Sequence, residues 1–332
     1  MRIAWSRVAL LALVALAPSL SAAPPTRARK LDYDSSKKVW SELPPPIPGT
    51  PEGDLFALRQ TLAAKGFRRA GEGAKRWIKK YGKDDPLYPD LLLVRAEADI
   101  GLRKFDKAFK SLQEFINQFS GIQQTSEALR LEFIVAEAYL GGAKRRFLGL
   151  PLFSGEDRAF QILDEIALDH PDDPLAPLAV KTKADYLFRR GEHDQAEIEY
   201  ARMQREYPRS RYDPFVMRRA ADAALASFGG VEFDEAALIE AHERYSDYRV
   251  RYAAAADREG IGLILDNIRE LQAEKDYRIG MYYERTDHLS SAVYCYRAVL
   301  TDYADSVAAG KAGKRLELLG VEWNEGSQKN AP

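Results

Sequence analysis

The sequence predicts an all-α chain of stacked helical hairpins, and three observations carry that expectation. Apolar residues recur at helical spacing from Asp54 almost to the end of the 332 residues, as at Leu91, Val94 and Ala98, or Phe105, Phe109, Leu112 and Phe115. Valine and isoleucine are scattered through these stretches instead of alternating, so strands are not supported. Small and bulky side chains also interleave in a register that recurs. In "YYERTDHLSSAVYCYRAVLTDYADS" (282–306), Ala292 is followed by Tyr296 and Val299.

Residues 1–22 have the make-up of an export signal. Arg2 and Arg7 flank the start, "VALLALVALA" (8–17) is uninterrupted and apolar, and "PSLSAAPP" supplies small residues for cleavage near Ser21 to Ala23. The run is shorter than the roughly 20 residues a membrane span needs, so it reads as a cleaved leader. The expected location is the periplasm, with membrane contact only peripheral, at the inner face of the outer membrane, or through partners. Residues 23–52 read as a proline-rich extended tether. "LPPPIPGTP" (43–51) cannot enter a helix, because proline lacks the amide donor and biases its predecessor toward extended backbone. Upstream, "KLDYDSSKKVW" (30–40) allows a short extended piece with Trp40 as an anchor.

Residues 53–320 carry the repeats, and 321–332 read as a flexible tail. In "KGFRRAGEGAKRWIKKYG" (65–82), "RKFDKAFKSLQEFINQFS" (103–120), "SGEDRAFQILDEIALDHP" (154–171), "RGEHDQAEIEYARMQREYP" (190–208) and "TDHLSSAVYCYRAVLTDYA" (286–304), a turn precedes an alanine: Ala70, Ala108, Ala159, Ala196 and Ala292. A bulky residue follows four positions on (Leu112, Leu163, Tyr200, Tyr296; Ala74 is the exception). Another apolar residue follows seven on, at Trp77, Phe115, Ile166, Met203 and Val299. A further copy lies around Ala241, Tyr245 and Tyr248. Before each lies a helix with a small residue where two helices must touch: Ala96, Ala136, Ala184, Ala224 or Gly280. Small residues permit close approach, and large ones a turn away fill the adjoining groove.

This is the tetratricopeptide-repeat (TPR) pattern, a helix–turn–helix of about 34 residues whose copies stack into a right-handed superhelix. About six degenerate units are expected, with "AAGKAGKRLELLG" (308–320) as the helix that caps the last. One wide spacing, from Ala108 to Ala159, maps onto an insertion, "GGAKRRFLGLPLFSGED" (141–157).

With these features, "ELQAEKDYRIGMYYERTDHLSSAVYCYRAVLTDYADS" (270–306) resembles the last repeats of BamD-type outer-membrane-protein assembly factors. The matching residues are the Tyr282-Tyr283 pair, Arg285 in a basic turn, and the stop Tyr303-Ala304-Asp305-Ser306, where alanine replaces the usual proline. "REYPRSRY" (205–212) is a closer version of that stop. The likeness covers roughly residues 54–320, though only the last repeats go beyond generic repeat grammar. Family members are typically lipoproteins held by an acylated cysteine, and this chain departs from them: its single cysteine is Cys295. The resemblance implies an adaptor whose C-terminal repeats hold periplasmic domains of the β-barrel insertase and whose N-terminal half receives unfolded outer-membrane-protein clients.

Three surfaces are candidates for binding. Tyr282, Tyr283, Arg285 and Tyr294 combine aromatic rings with arginine, as interface anchors do, and are expected to hold the assembly partner. On the first helices, Arg59, Leu93, Glu97, Arg130, Phe133, Lys181 and Phe188 are expected to line a concave groove for an extended peptide. In the insertion, Lys144, Arg145, Arg146 and Phe147 are expected in a basic, greasy loop suited to an anionic lipid surface or a partner.

Chemistry finds little purchase. His170, His193, His242 and His288 fall in different repeats, none paired at helical metal-ligand spacing, and "HERYS" (242–246) lacks the second histidine of a zinc-protease helix. "GEG" (71–73) has no preceding strand to make a nucleotide loop, no Gly-x-Ser-x-Gly elbow occurs, and Cys295 has no neighbouring histidine. Asp84-Asp85 and Asp172-Asp173 precede Pro86 and Pro174 and read as helix-start caps. No catalysis, cofactor or metal is expected. Near-neutral charge, 49 basic against 50 acidic residues, argues against a nucleic-acid binder. The alternatives are an envelope adaptor of other purpose, such as cell-wall coordination, and a periplasmic hydrolase with a helical superhelix.

Overall fold

Proline and hydroxyl side chains set the first and last helices of the stack. Thr50 accepts the Gly53 amide at 3.1 Å and Pro51 opens α1 (Pro51–Ala63), while Ser306 accepts the Ala309 amide at 2.9 Å to start α14 (Val307–Leu318). The computed structural model describes residues 31–34, 39–42, 46–119, 121, 123–147, 150–231 and 235–321. The expected leader, much of the tether, the side chain of Trp40 and nearly all of the tail lie outside the described residues.

Between those two helices run α2 (Phe67–Tyr81), α3 (Tyr88–Gly101), α4 (Phe105–Phe119), α5 (Thr125–Leu140), α6 (Glu156–Asp169), α7 (Ala176–Arg190) and α8 (His193–Glu206). They continue with α9 (Asp213–Ala226), α10 (Ala236–Arg251), the short α11 (Ala253–Arg258), α12 (Ile261–Arg285) and α13 (Leu289–Asp302). The pairs α1–α2, α3–α4, α5–α6, α7–α8, α9–α10 and α12–α13 form six hairpins, and each second helix also packs on the helix that opens the next unit. The chain is all-α in class, a stack of tetratricopeptide-type hairpins closed by α14.

The large–small grammar is the packing code. Ala70, Ala108, Ala159, Ala196, Ala241 and Ala292 are all 0 % exposed, as are Leu112, Tyr200 and Tyr296 four residues beyond three of them. Among the described residues, buried side chains fall into four clusters along the stack, three spanning adjacent hairpins and the last joining α12 and α13 to the closing α14. The 25-residue α12 is the longest element. Its first half contributes Ile261, Leu265 and Ile268 to the cluster shared with α10, and its second half contributes Ala273 to the cluster shared with α13 and α14.

Three features depart from expectation. The 141–157 insertion is no irregular loop: β3 (Lys144–Phe147) and β4 (Leu150–Ser154) pair as an antiparallel hairpin with a register shift between Arg145 and Arg146. A second hairpin, β1 (Leu31–Asp34) with β2 (Val39–Glu42), occupies part of the tether. Strands of four or five residues hold too few positions for alternation to stand out. The paired aspartates also act one step earlier than a cap. Asp85 accepts the Leu87 amide and Asp173 the Leu175 amide, both at 2.9 Å, turning the chain into α3 and α7.

Candidate protein-binding surfaces

Buried tyrosines organise the surface from beneath. Within the hairpins, Tyr200 donates to Asp185 at 2.6 Å, Tyr245 to Asp222 at 2.7 Å and Tyr296 to Glu284 at 2.7 Å. Burial, then the neighbouring carboxylate, pushes each phenol well above its ordinary value, so all three stay neutral donors. Each carboxylate has a second duty. Asp185 accepts from Lys181 at 2.6 Å, Asp222 from Arg218 at 2.9 Å, and Glu284 from Arg315. Burial pulls Glu284 upward, but the bonds from Tyr296 and Arg315 outweigh it and hold the carboxyl below its usual range. A ring inside a hairpin thus fixes the cation outside it.

On the first helices, this fixing builds an aromatic–cation array. Lys181 Nζ lies 4.1 Å from the centroid of the Phe215 ring, and the Arg219 guanidinium lies 5.4 Å from Phe215 and 5.0 Å from Phe188. Phe188 is half-buried, whereas Phe215 remains 39 % exposed. Phe215 and Arg219 lie on α9, one hairpin beyond the last helix that the sequence places on the groove. Their spacing of four, on a helix opened by Asp213-Pro214, was the available signal.

Nearer the N-terminus, Arg59, Glu97 and Arg130 are exposed on α1, α3 and α5. Arg59 pairs with Asp90 across the first two hairpins, and Arg130 pairs with Glu127 at 2.6 Å. Leu93 and Phe133, expected on the groove, are each only 7 % exposed and belong to the core. They sit three residues before Ala96 and Ala136, which puts them on the same buried helix face.

The four residues expected to hold a partner do not form one patch. Tyr282 and Arg285 are exposed on the side of α12 away from Gly280 and Glu284, the positions that meet Tyr296. Tyr294 is 76 % exposed, two residues from the buried Tyr296, and so faces outward from α13 on the opposite side of the hairpin. Tyr283 is half-buried, its ring 6.3 Å from that of His288 at the turn. In the insertion, Lys144 is exposed and Arg145 approaches Asp106 at 3.8 Å. Arg146 and Phe147 belong to β3, but their side chains lie outside the described residues.

One polar site lies inside the stack. Gln113 Nε2 on α4 bridges Glu132 on α5 (2.9 Å) and Glu165 on α6 (3.1 Å), beside a cavity of about 160 Å³ that Asn117, Asp169 and His170 also line. Glu132 is 1 % exposed, and burial raises its carboxyl to about 8. Burial likewise raises the Cys295 thiol, keeping it protonated and a poor nucleophile. Among the described residues, no three His, Cys, Asp or Glu side chains group to hold a metal, and no helix is long and apolar enough to cross a membrane.

No protein-family model matches the chain, and no curated protein matches it. Solved structures do. TTC0263, a thermophilic TPR protein of Thermus thermophilus, aligns at 20 % identity over 62 % of this chain and 98 % of its own, with a TM-score of 0.30. Human IFIT1, solved as a dimer with PPP-AAAA, aligns at 13 % identity over 81 % of this chain and 63 % of its own, with a TM-score of 0.27. The TPR2AB domain of yeast Sti1, solved with pHSP90, aligns at 14 % identity over 81 % of this chain and 96 % of its own, with a TM-score of 0.25. The fold assignment itself rests on the helix pairing within this chain.

Proposed function

We propose that the chain is an exported scaffold that holds extended segments of other proteins along the first-helix face of its stack, in the service of outer-membrane β-barrel assembly. The observation that carries the binding reading is the array on α7 and α9, where Phe215 is 39 % exposed between Lys181, held by Asp185, and Arg219, whose guanidinium lies 3.5 Å from Asp222. An extended chain can lay an apolar side chain on Phe215 and Phe188 and offer a carboxylate to Arg219. Cations positioned in advance lose little freedom on binding, which favours affinity.

The assembly reading rests on the resemblance of the last hairpin to BamD-type factors. It is supported by the exposure of Tyr282 and Arg285, the latter without an ion pair among the described residues. Two variants of the full chain test the two halves. Phe215→Ala with Arg219→Ala should weaken capture of a β-barrel precursor peptide about tenfold without moving the melting temperature. Arg285→Glu should reduce copurification with the insertase while leaving peptide capture intact. Undiminished peptide capture in the first variant would overturn the groove, and undiminished copurification in the second would overturn the assembly role.

A further inference from the structure

The second helix of the first hairpin carries a concentrated charge. Residues 65–83 hold eight lysines and arginines and one acid, Glu72, in a chain of formal net charge −1. At 3.6 residues per turn, Arg68, Lys75, Arg76 and Lys79 fall on the half of the helix opposite the buried Ala70, Gly73, Ala74 and Trp77, Arg69 lies at its edge, and Lys80 turns toward α1. Lys80 pairs with Asp54 and Lys83 with Glu114. Lys65, Arg68, Arg69, Lys75, Arg76 and Lys79 are all exposed and have no ion pair among the described residues. The contrast with α7 and α8 is plain, since Lys181, Lys183, Arg190 and Arg202 are all paired there.

The charge continues onto the next outer helix. Arg103, Lys107 and Lys110, in and just before α4, are exposed and likewise lack ion pairs among the described residues. α2 and α4 both pack on α3, so the two sets of cations flank the same helix. Of the α2 cations without a partner, Arg76 borders the cleft between α1 and α2, beside the Asp54–Lys80 pair; Arg68, Lys75 and Lys79 do not line it.

We propose that the outer face of α2, extended by α4, docks on an anionic phospholipid bilayer. Cations spread over two helices on either side of α3 match a flat, uniformly negative surface better than they match an acidic peptide, which binds through converging, geometrically fixed partners. Their long side chains reach headgroups while the helix stays outside the hydrocarbon. The inference goes beyond the protein-binding reading and involves none of its residues.

Vesicle sedimentation of the full chain tests it. Binding is expected to vesicles with about 30 % phosphatidylglycerol and not to pure phosphatidylcholine, and to vanish between about 0.05 M and 0.5 M salt. Arg68→Gln, Lys75→Gln, Arg76→Gln and Lys79→Gln together should weaken it at least about tenfold, with the circular dichroism spectrum unchanged. A control with Arg209→Gln, Arg249→Gln, Arg258→Gln and Lys314→Gln, all exposed elsewhere, should bind as the unmodified chain does. Failure to bind the anionic vesicles, or equal loss in the control, overturns the proposal. Binding to soluble polyglutamate but not to vesicles also overturns it and assigns the face to an acidic protein.

Discussion

Gly280 on α12 lies directly against the ring of Tyr296 on α13: a methyl group at that glycine would stand 2.6 Å from a ring carbon. Nothing larger than hydrogen fits, and the ring cannot retreat, because its hydroxyl is tied to Glu284 at 2.7 Å. Gly280→Ala is expected to destabilise the chain by roughly 1 kcal/mol, since overpacking outweighs alanine's better helix propensity. Adding Tyr296→Leu should reverse most of that loss, read as a coupling energy from urea midpoints. Strict additivity would mean that the two residues do not press on each other.

Removing a hydroxyl from a buried tyrosine should be felt through its carboxylate. Tyr245→Phe leaves Asp222 with Arg218 but without its donor inside the hairpin. A loss of about 1.5–3 kcal/mol is expected, as for other hydrogen bonds to charged groups. An unchanged denaturation midpoint would count against the phenol–carboxylate bond.

Glu132 should give the fold a pH dependence of unusual sign. Its carboxyl is raised to about 8 by burial, from 4.5 when unfolded. Between those values the folded chain retains a proton that the unfolded chain has released, so stability falls as pH rises and then levels off above about 8. Glu132→Gln keeps an acceptor for Gln113 and removes the titration. The variant should match the unmodified chain near pH 4.5 and exceed it by a few kcal/mol, on the order of the shift, at pH 8.5. Parallel stability profiles for the two chains would rule this out.

The closing helix should be needed for the unit it covers. Leu316 is 0 % exposed and packs with Tyr296 and Val299 in the last cluster. Leu316→Ala is expected to cost about 2–4 kcal/mol. A change as small as that of an exposed leucine, such as Leu318, which is 76 % exposed, would show that α14 is not a cap.

The hairpin stack was legible because one rule, alanine against a bulky side chain, recurs wherever two helices cross, and every marker alanine is buried. The surfaces were less legible, for a physical reason. Helical spacing says which residues share a face, but a face half-turned toward a neighbour mixes core and surface, so Leu93 and Phe133 read as groove residues although they are core. Likewise Tyr282 and Tyr294 are close in sequence but sit on two antiparallel helices, whose exposed sides point apart. The β3–β4 hairpin escaped notice because its pairing is local and too short for a pattern. Phe215 takes much of its meaning from Lys181, a whole hairpin away.

Linear arrays ordinarily melt from their ends, where a unit has lost one neighbour. Here the C-terminal end is spliced to the unit before it by a single unbroken rod, since α12 lends one half to each of two clusters. Unzipping the last hairpin therefore requires breaking that rod or surrendering both clusters together. The shorter α6, α7 and α9 also lend residues to two clusters and couple their units in the same way, so a partner pulling on Arg285 would load α10 as well as α13.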